Sequence, residues 1–230
     1  VKSPADGFTI SVISNNHVIF PSVYSKLPFD AIEDITAITI IGTTPLVLVV
    51  NPAKVPVQNV QELVAFFKAK PDAYNYASSG NGTMSHLAGE LFGFTIGSRM
   101  THVPYKGSSQ ALTDLLAGTV PVMFAPASTV LPYVKSGKLK ALATTGAERS
   151  RLVPDLPTIA EQGLPDYDTR IWFGVVAPAV TISRLGVWLA RSSMLSAPKA
   201  ARSSALKLVT ESAWPASAPA GALDLWRGDV

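Results

Sequence analysis

Between residues 35 and 144 the hydrophobic positions follow two alternating rhythms, and the rhythm changes at polar, glycine-rich breaks. Ile35–Ile41 and Pro45–Val50 are β-branched runs of strand length. The second is too continuous to leave one face in water, so both predict buried strands. Asn59 with Glu62 three residues on forms a capping box, Val60, Leu63, Val64 and Phe67 recur at helical spacing, and Pro71 stops the helix. The pattern then predicts a strand at Tyr74–Ala77 and a helix carrying Met84, Leu87, Ala88, Leu91 and Phe92 on its apolar positions. After these come a strand at Met100–Val103, a helix at Ser109–Ala117 ended by Gly118, a strand at Val120–Phe124, a helix at Ser128–Lys135 ended by Gly137, and a strand at Leu139–Thr144. Such alternation with short connections predicts a parallel sheet covered by helices. Thr9–Ser14 is a further short apolar run with a polar exit at Ser14, Asn15, Asn16 and His17. Thr158 with Glu161 repeats the capping-box pattern, and a turn-rich connection, Leu164–Asp168, leads into Arg170–Val176.

On sheets of this kind ligands bind where strands end and helices begin. Three polar breaks lie at that edge: Ser78–Thr83, Tyr105–Ser109 and Ala125–Ser128. The first feeds a helix N-terminus, where unpaired N–H groups and about half a positive charge receive an anion without any Lys or Arg. Two other readings of the same loop stay open: Thr83 as an ordinary N-cap with glycines that turn the chain, or a cradle for a nucleotide phosphate. Neither G-x-G-x-x-G nor G-x-x-x-x-G-K-[ST] occurs there, which counts against the nucleotide.

The chain has 230 residues, 47% of them hydrophobic and 15% charged, enough for one large or two small domains with real cores. A net charge of +3 from scattered Lys and Arg indicates no nucleic-acid partner and no membrane-surface patch. Absence of cysteine removes disulfides, thiolate catalysis and thiolate zinc sites. No stretch reaches the roughly 20 apolar residues of a membrane span. His86 and Glu90 are four apart on one helix face, yet no third metal ligand is evident and H-E-x-x-H and G-x-S-x-G are absent, so the residues indicate neither a metal site nor an enzyme. His17 reads as a surface or hydrogen-bonded histidine.

The runs YASSGNGTMSHLAGELF, HVPYKGSSQALTDLLAGTVPVMF, LPYVKSGKLKALATTGAERS, PTIAEQGLPDYD and WFGVVAPA, in this order over roughly residues 1 to 180, resemble the extracytoplasmic solute-binding receptors of tripartite tricarboxylate transporters, the Bug-type receptors. Tyr24–Asp30 also matches that family's Y-x-x-L-P-[YF]-D connection. The resemblance implies an α/β fold of two domains, a periplasmic-binding-protein-like (type II) hinged clam in which each domain is a sheet covered by helices. Domain one would comprise residues 1–50 and 169–230, incomplete at its N-terminus, and domain two residues 51–168. A small carboxylate would lie in the cleft, with Ser78, Ser79, Asn81, Thr83 and the backbone of Gly80 and Gly82 around one carboxylate group and Ser14, Asn15 and Asn16 facing it from domain one. Tyr105 would pack or bind, Lys106 would add charge or stay solvated, and Trp172 would close the cleft or sit buried at the hinge. Ala125 occupies a position that tunes ligand choice and offers no anchor for a ligand amine. The resemblance further implies a monomer in the periplasm that works with membrane transporter subunits, without a cofactor.

The family opens with a strand carrying a P-F-x-x-G-G loop, a helix and a second strand, all upstream of where Val1 falls; the expectation is a chain lacking them, including its export signal. Beyond Ala179 the family runs through an acidic helix pair, whereas here no acidic residue occurs between Asp168 and Glu211. The expectation is a shifted reading frame or a fragment of a degenerate gene, or a divergent tail with helices at Arg184–Met194 or Lys199–Val209. A truncated remnant that binds nothing is the alternative function.

Overall fold

This computed structural model describes residues 2–6, 8–70 and 73–179; the helices expected at 184–194 and 199–209 lie outside the described residues. In chain order the elements are β1 (Ser11–Ser14), α1 (Asn16–Val23), β2 (Ile35–Val50), α2 (Val60–Ala69), β3 (Asn75–Ser78), α3 (Met84–Ile96), β4 (Thr101–Pro104), α4 (Ser108–Ala117), β5 (Val122–Pro126), α5 (Ala127–Lys135), β6 (Lys140–Thr144) and β7 (Arg170–Pro178). They divide into two compact units, one of residues up to Thr43 together with those from Trp172, the other Thr44–Ile171. Among the described residues no helix is long and apolar enough to cross a membrane.

The larger unit is built on a mixed sheet. β3 pairs in parallel with β4 and with β5, while β2 runs antiparallel to both β5 and β6. The expected all-parallel sheet is therefore corrected by one reversed strand. A central strand covered on both faces is a continuous hydrophobic run whichever way it points, so the sequence pattern carries no direction for it. Successive residues point to opposite faces. Val47, Val49, Ala77, Met123 and Ala125 bury against Ala111, Leu112 and Leu115 of α4 and Ala127 and Val130 of α5. On the other face Tyr76 meets Phe124, Phe124 meets Phe92 of α3, and Phe92 in turn meets Phe67 of α2 and Tyr167.

The two strands expected at Ile35–Ile41 and Pro45–Val50 are one strand of 16 residues. Pro45 is tolerated because the ladder to β5 begins only at Leu46, so no N–H is needed at the proline. The first half is not buried: Ile38, Ile40 and Ile41 are 43%, 45% and 59% exposed, whereas Leu46 to Val50 are fully buried. β-branched composition reports fit to a pleated strand, and cover is a separate, tertiary matter.

In the smaller unit β1 pairs antiparallel with β7, from Ser11 opposite Val176 to Ser14 opposite Phe173. The polar exit expected after β1 is a helix start instead, with Asn15 at the N-cap position of α1. Asn15 makes no side-chain cap bond and its backbone is already helical, at φ −55° and ψ −18°; a strand-exit turn and a helix N-terminus draw on the same residue types. His17 Nε2 lies 2.9 Å from the Ala31 carbonyl and its ring stacks on Phe29, a hydrogen-bonded role.

The capping box at 158–161 forms in full, while at α2 the Glu62 carboxylate reaches the N–H one residue before the cap. Asn59 accepts from the Glu62 N–H at 2.8 Å, and Glu62 accepts from the Gln58 N–H at 2.8 Å. Thr158 and Glu161 exchange bonds of 2.9 and 3.0 Å, although only turns follow.

Candidate functional site

Because β3, β4 and β5 are parallel, their carboxyl ends share one edge of the larger unit's sheet, and each passes into a helix, α3, α4 and α5 respectively. Thr83 is the N-cap of α3: its Oγ1 accepts the His86 N–H at 3.4 Å and donates to the Gly80 carbonyl at 2.7 Å. No side chain caps α4 after Gly107 or α5 after Pro126. Three helix N-termini thus meet one sheet edge, the arrangement that favours an anion.

The loop after β3 closes on itself. Ser78 Oγ accepts the Gly80 N–H at 3.1 Å and lies 2.6 Å from His102 Nε2, and the Gly82 N–H donates to His86 Nδ1 at 3.2 Å. Gly80 and Gly82 take φ of +135° and +71°, which L side chains rarely adopt. A Cβ at Gly80 would stand 3.2 Å from the Tyr105 carbonyl oxygen, so the neighbouring loop also needs glycine there. The two loops are tied by the Tyr105 N–H donating to the Ser78 carbonyl at 3.1 Å.

This geometry sorts the expected site residues. Ser78 and Gly82 are buried inside the loop, Ser79, Gly80 and Thr83 are half-buried, and Asn81 is exposed. The Ser78 and Thr83 hydroxyls and the Gly80 and Gly82 N–H groups are committed to internal bonds, which leaves the Ser79 and Asn81 side chains as the loop's outward polar groups. Tyr105 is half-buried and its hydroxyl donates to Asp114 Oδ2 at 2.7 Å; burial, then that bond, pushes the phenol up to about 12. Lys106 is exposed. Ala125 is fully buried opposite Val47, its methyl part of the core under α4 and α5. Ser14, Asn15, Asn16 and Trp172 belong to the smaller unit, where Ser14 and Asn16 are half-buried and Asn15 and Trp172 buried.

Two histidines beside this loop escaped the sequence reading in part. His86 was visible as a partner for Glu90, and its Nε2 does lie 3.9 Å from Glu90 Oε1. It also stacks on His102 of β4, with ring centroids 3.9 Å apart and planes at 15°. His102 also stacks on Tyr76, which sits opposite it in the parallel register, while the Tyr76 hydroxyl donates to Glu90 Oε1 at 2.6 Å. Strand register is what brings 76, 86 and 102 together, and no spacing in the sequence encodes it. Burial, then the neighbouring His86, lowers His102 to about 4; burial also lowers His86, partly offset by Glu90. Burial and Glu90 raise the Tyr76 phenol far above its usual range. Both imidazoles are therefore neutral near pH 7.

A serine 2.6 Å from a histidine invites a nucleophile reading, which the surroundings oppose. Ser78 is fully buried, His102 rests on aromatic rings in place of an orienting carboxylate, and its low proton affinity makes it a weak base. Among the described residues no three His, Cys, Asp or Glu side chains are grouped to hold a metal ion. What the edge offers is three helix N-termini with no fixed charge beside them in the 78–83 loop.

Residues 1–206 match the profile of the tripartite tricarboxylate transporter family receptor. BugT of Bordetella pertussis is 36% identical over 192 residues, which take in 83% of this chain and 59% of BugT; the chain spans little more than half the length of the curated relatives it matches. Among solved structures, an R. palustris protein with adipate superposes with a TM-score of 0.73 at 32% identity, covering 91% of this chain and 65% of that one. The periplasmic binding protein BugD superposes with a TM-score of 0.71 at 27% identity, covering 93% and 66%. The mixed α/β fold is that of these binding proteins.

Proposed function

The chain belongs to the tripartite tricarboxylate transporter receptor family, and from that premise we propose that it is a periplasmic receptor for a small organic anion, a di- or tricarboxylate or a related carboxylic acid. It acts as a monomer and delivers its ligand to the membrane subunits of a tripartite tricarboxylate-type transporter. The observation that carries this reading is the edge where β3, β4 and β5 each run into a helix N-terminus beside a glycine-shaped loop. Carboxylate is the charge such an edge receives, because backbone N–H groups and hydroxyls replace its hydration without a fixed countercharge. The relative solved with adipate supports the ligand class.

Within the loop the roles divide. Ser79 and Asn81 present donors to one carboxylate group, while Ser78, Gly80, Gly82 and Thr83 hold the loop in shape through their internal bonds. Lys106, exposed at the second loop, adds positive charge on the approach, and the Tyr105 backbone fixes that loop against the first. Ser14, Asn15, Asn16 and Trp172 lie in the smaller unit, and Ala125 leaves a ligand amine without an anchor.

A thermal-shift screen of the full chain against adipate, malate, citrate, benzoate and glutamate tests the reading. A ligand at about a hundred times its dissociation constant adds roughly 2.7 kcal/mol to stability. The expected result is a clear upward shift with at least one carboxylate and none with glutamate. Gly80→Ala, which strains a φ of +135° and presses on the Tyr105 carbonyl, should abolish the shift while keeping a cooperative transition. A cooperative transition that no organic acid moves would refute carboxylate capture and favour the non-binding alternative.

A further inference from the structure

The loop is held from beneath by imidazole as well as by its own hydroxyls. His86, on the first turn of α3, accepts the Gly82 N–H at Nδ1, 3.2 Å away, so Nδ1 must carry a lone pair and the ring's one proton sits on Nε2. Protonation places a second donor on Nδ1, directly opposed to the Gly82 N–H, and that bond is lost. Gly82 is buried at a φ of +71°, one residue before the N-cap, so the bond lies at the joint between loop and helix. His102 completes the support: its ring lies 3.9 Å from that of His86, and its Nε2 reaches Ser78 at the other end of the loop.

We propose that His86, stacked on His102, is a positioning residue for the 78–83 loop that works only with an unprotonated Nδ1, and that acid therefore releases the loop and weakens anion retention. The consequence for retention rests on the carboxylate reading above; the positioning role does not. The groups facing the pair are few. Glu90, on the same helix, lies 3.9 Å from Nε2 of His86 and favours its protonation. From β3 the facing group is Tyr76, a neutral phenol whose hydroxyl is engaged by Glu90 and the His86 carbonyl. From β4 it is His102 itself, and β5, which packs on the same helix, carries no titratable side chain in Val122–Pro126. Burial and the second imidazole oppose a charge that only Glu90 invites, so the loop is intact at neutral pH.

The test is a long-range proton–nitrogen spectrum of the labelled full chain, followed from about pH 7.5 to about pH 5, with the Gly82 amide observed in parallel. The expected result is His86 as the Nε2–H tautomer, a Gly82 amide that moves with the midpoint of the His86 ring, and no such movement in His86→Asn, whose side-chain oxygen replaces the Nδ1 acceptor. His86→Phe, which lacks the acceptor, should show the displaced amide already at neutral pH. An Nδ1–H tautomer, or a Gly82 amide indifferent to the ring, would overturn the proposal. Adipate affinity of wild type and His86→Asn at the two ends of that range reads the consequence. Protonation of adipate itself is common to both, so the wild type should lose at least about fivefold more than the variant. Equal losses would overturn the acid release, and failure of every variant to bind adipate would count against the carboxylate reading while leaving the spectra to decide the positioning role.

Discussion

Gly89, in the middle of the 13-residue helix α3, sits over the ring of Tyr76, and its replacement by alanine sets helix propensity against packing. Built on the backbone, a Cβ there would lie 2.1 Å from Cε2, 2.5 Å from Cζ and 2.6 Å from Cδ2 of Tyr76. The ring has nowhere to go: it is fully buried, stacked on His102, edge-on to Phe124, and pinned by its hydroxyl to the His86 carbonyl and to Glu90. In an open helix the substitution would gain roughly 0.5–1 kcal/mol. Overpacking costs about 1–3 kcal/mol, and a displaced hydroxyl adds about 1 kcal/mol for its lost hydrogen bonds. The net expectation for Gly89→Ala is a loss of about 2 kcal/mol, which for a chain of this size lowers the melting midpoint by about 4–8 °C. Calorimetry or urea unfolding measures it. In a Tyr76→Leu background, where the ring is gone, the same substitution should cost nothing or stabilise. Gly89→Ala at or above wild-type stability would refute the argument, since it would mean that the ring relaxes freely and propensity wins.

Tyr167→Phe removes a fully buried hydroxyl that donates to the Ala88 carbonyl at 2.7 Å, and urea denaturation should show a loss of about 1–1.5 kcal/mol with an unchanged slope. Both depressed imidazoles take up protons more readily in the unfolded chain, so their contribution to stability is complete above about pH 6.5 and declines as pH falls toward the folded value of about 4 for His102. Urea midpoints should therefore drop between about pH 6.5 and pH 5, before the lowered carboxyls of Asp30 and Glu161 contribute their own acid loss. A His102→Gln variant should show a smaller drop, and a flat wild-type profile over that interval would contradict the neutral stacked pair.

Local features of this protein were legible in the residues themselves. Asn59 and Glu62 announce α2, Thr83 announces α3, and Gly118 and Gly137 end their helices at positive φ, because caps and left-handed turns depend on a residue and its immediate neighbours. The loop at 78–83 stood out for the same reason, and the ordered run of motifs from Tyr76 onward identified the family. Tertiary structure alone reversed β2 within a parallel sheet, fused the two predicted strands at 35–41 and 45–50 into one, and left the first half of it exposed. It also turned the Ser78 and Thr83 hydroxyls inward and laid His86 on His102. Direction, register and cover are relations between segments tens of residues apart, settled by which strands pair and which helices pack on them, and a one-dimensional pattern of apolar and polar positions holds no term for those distances.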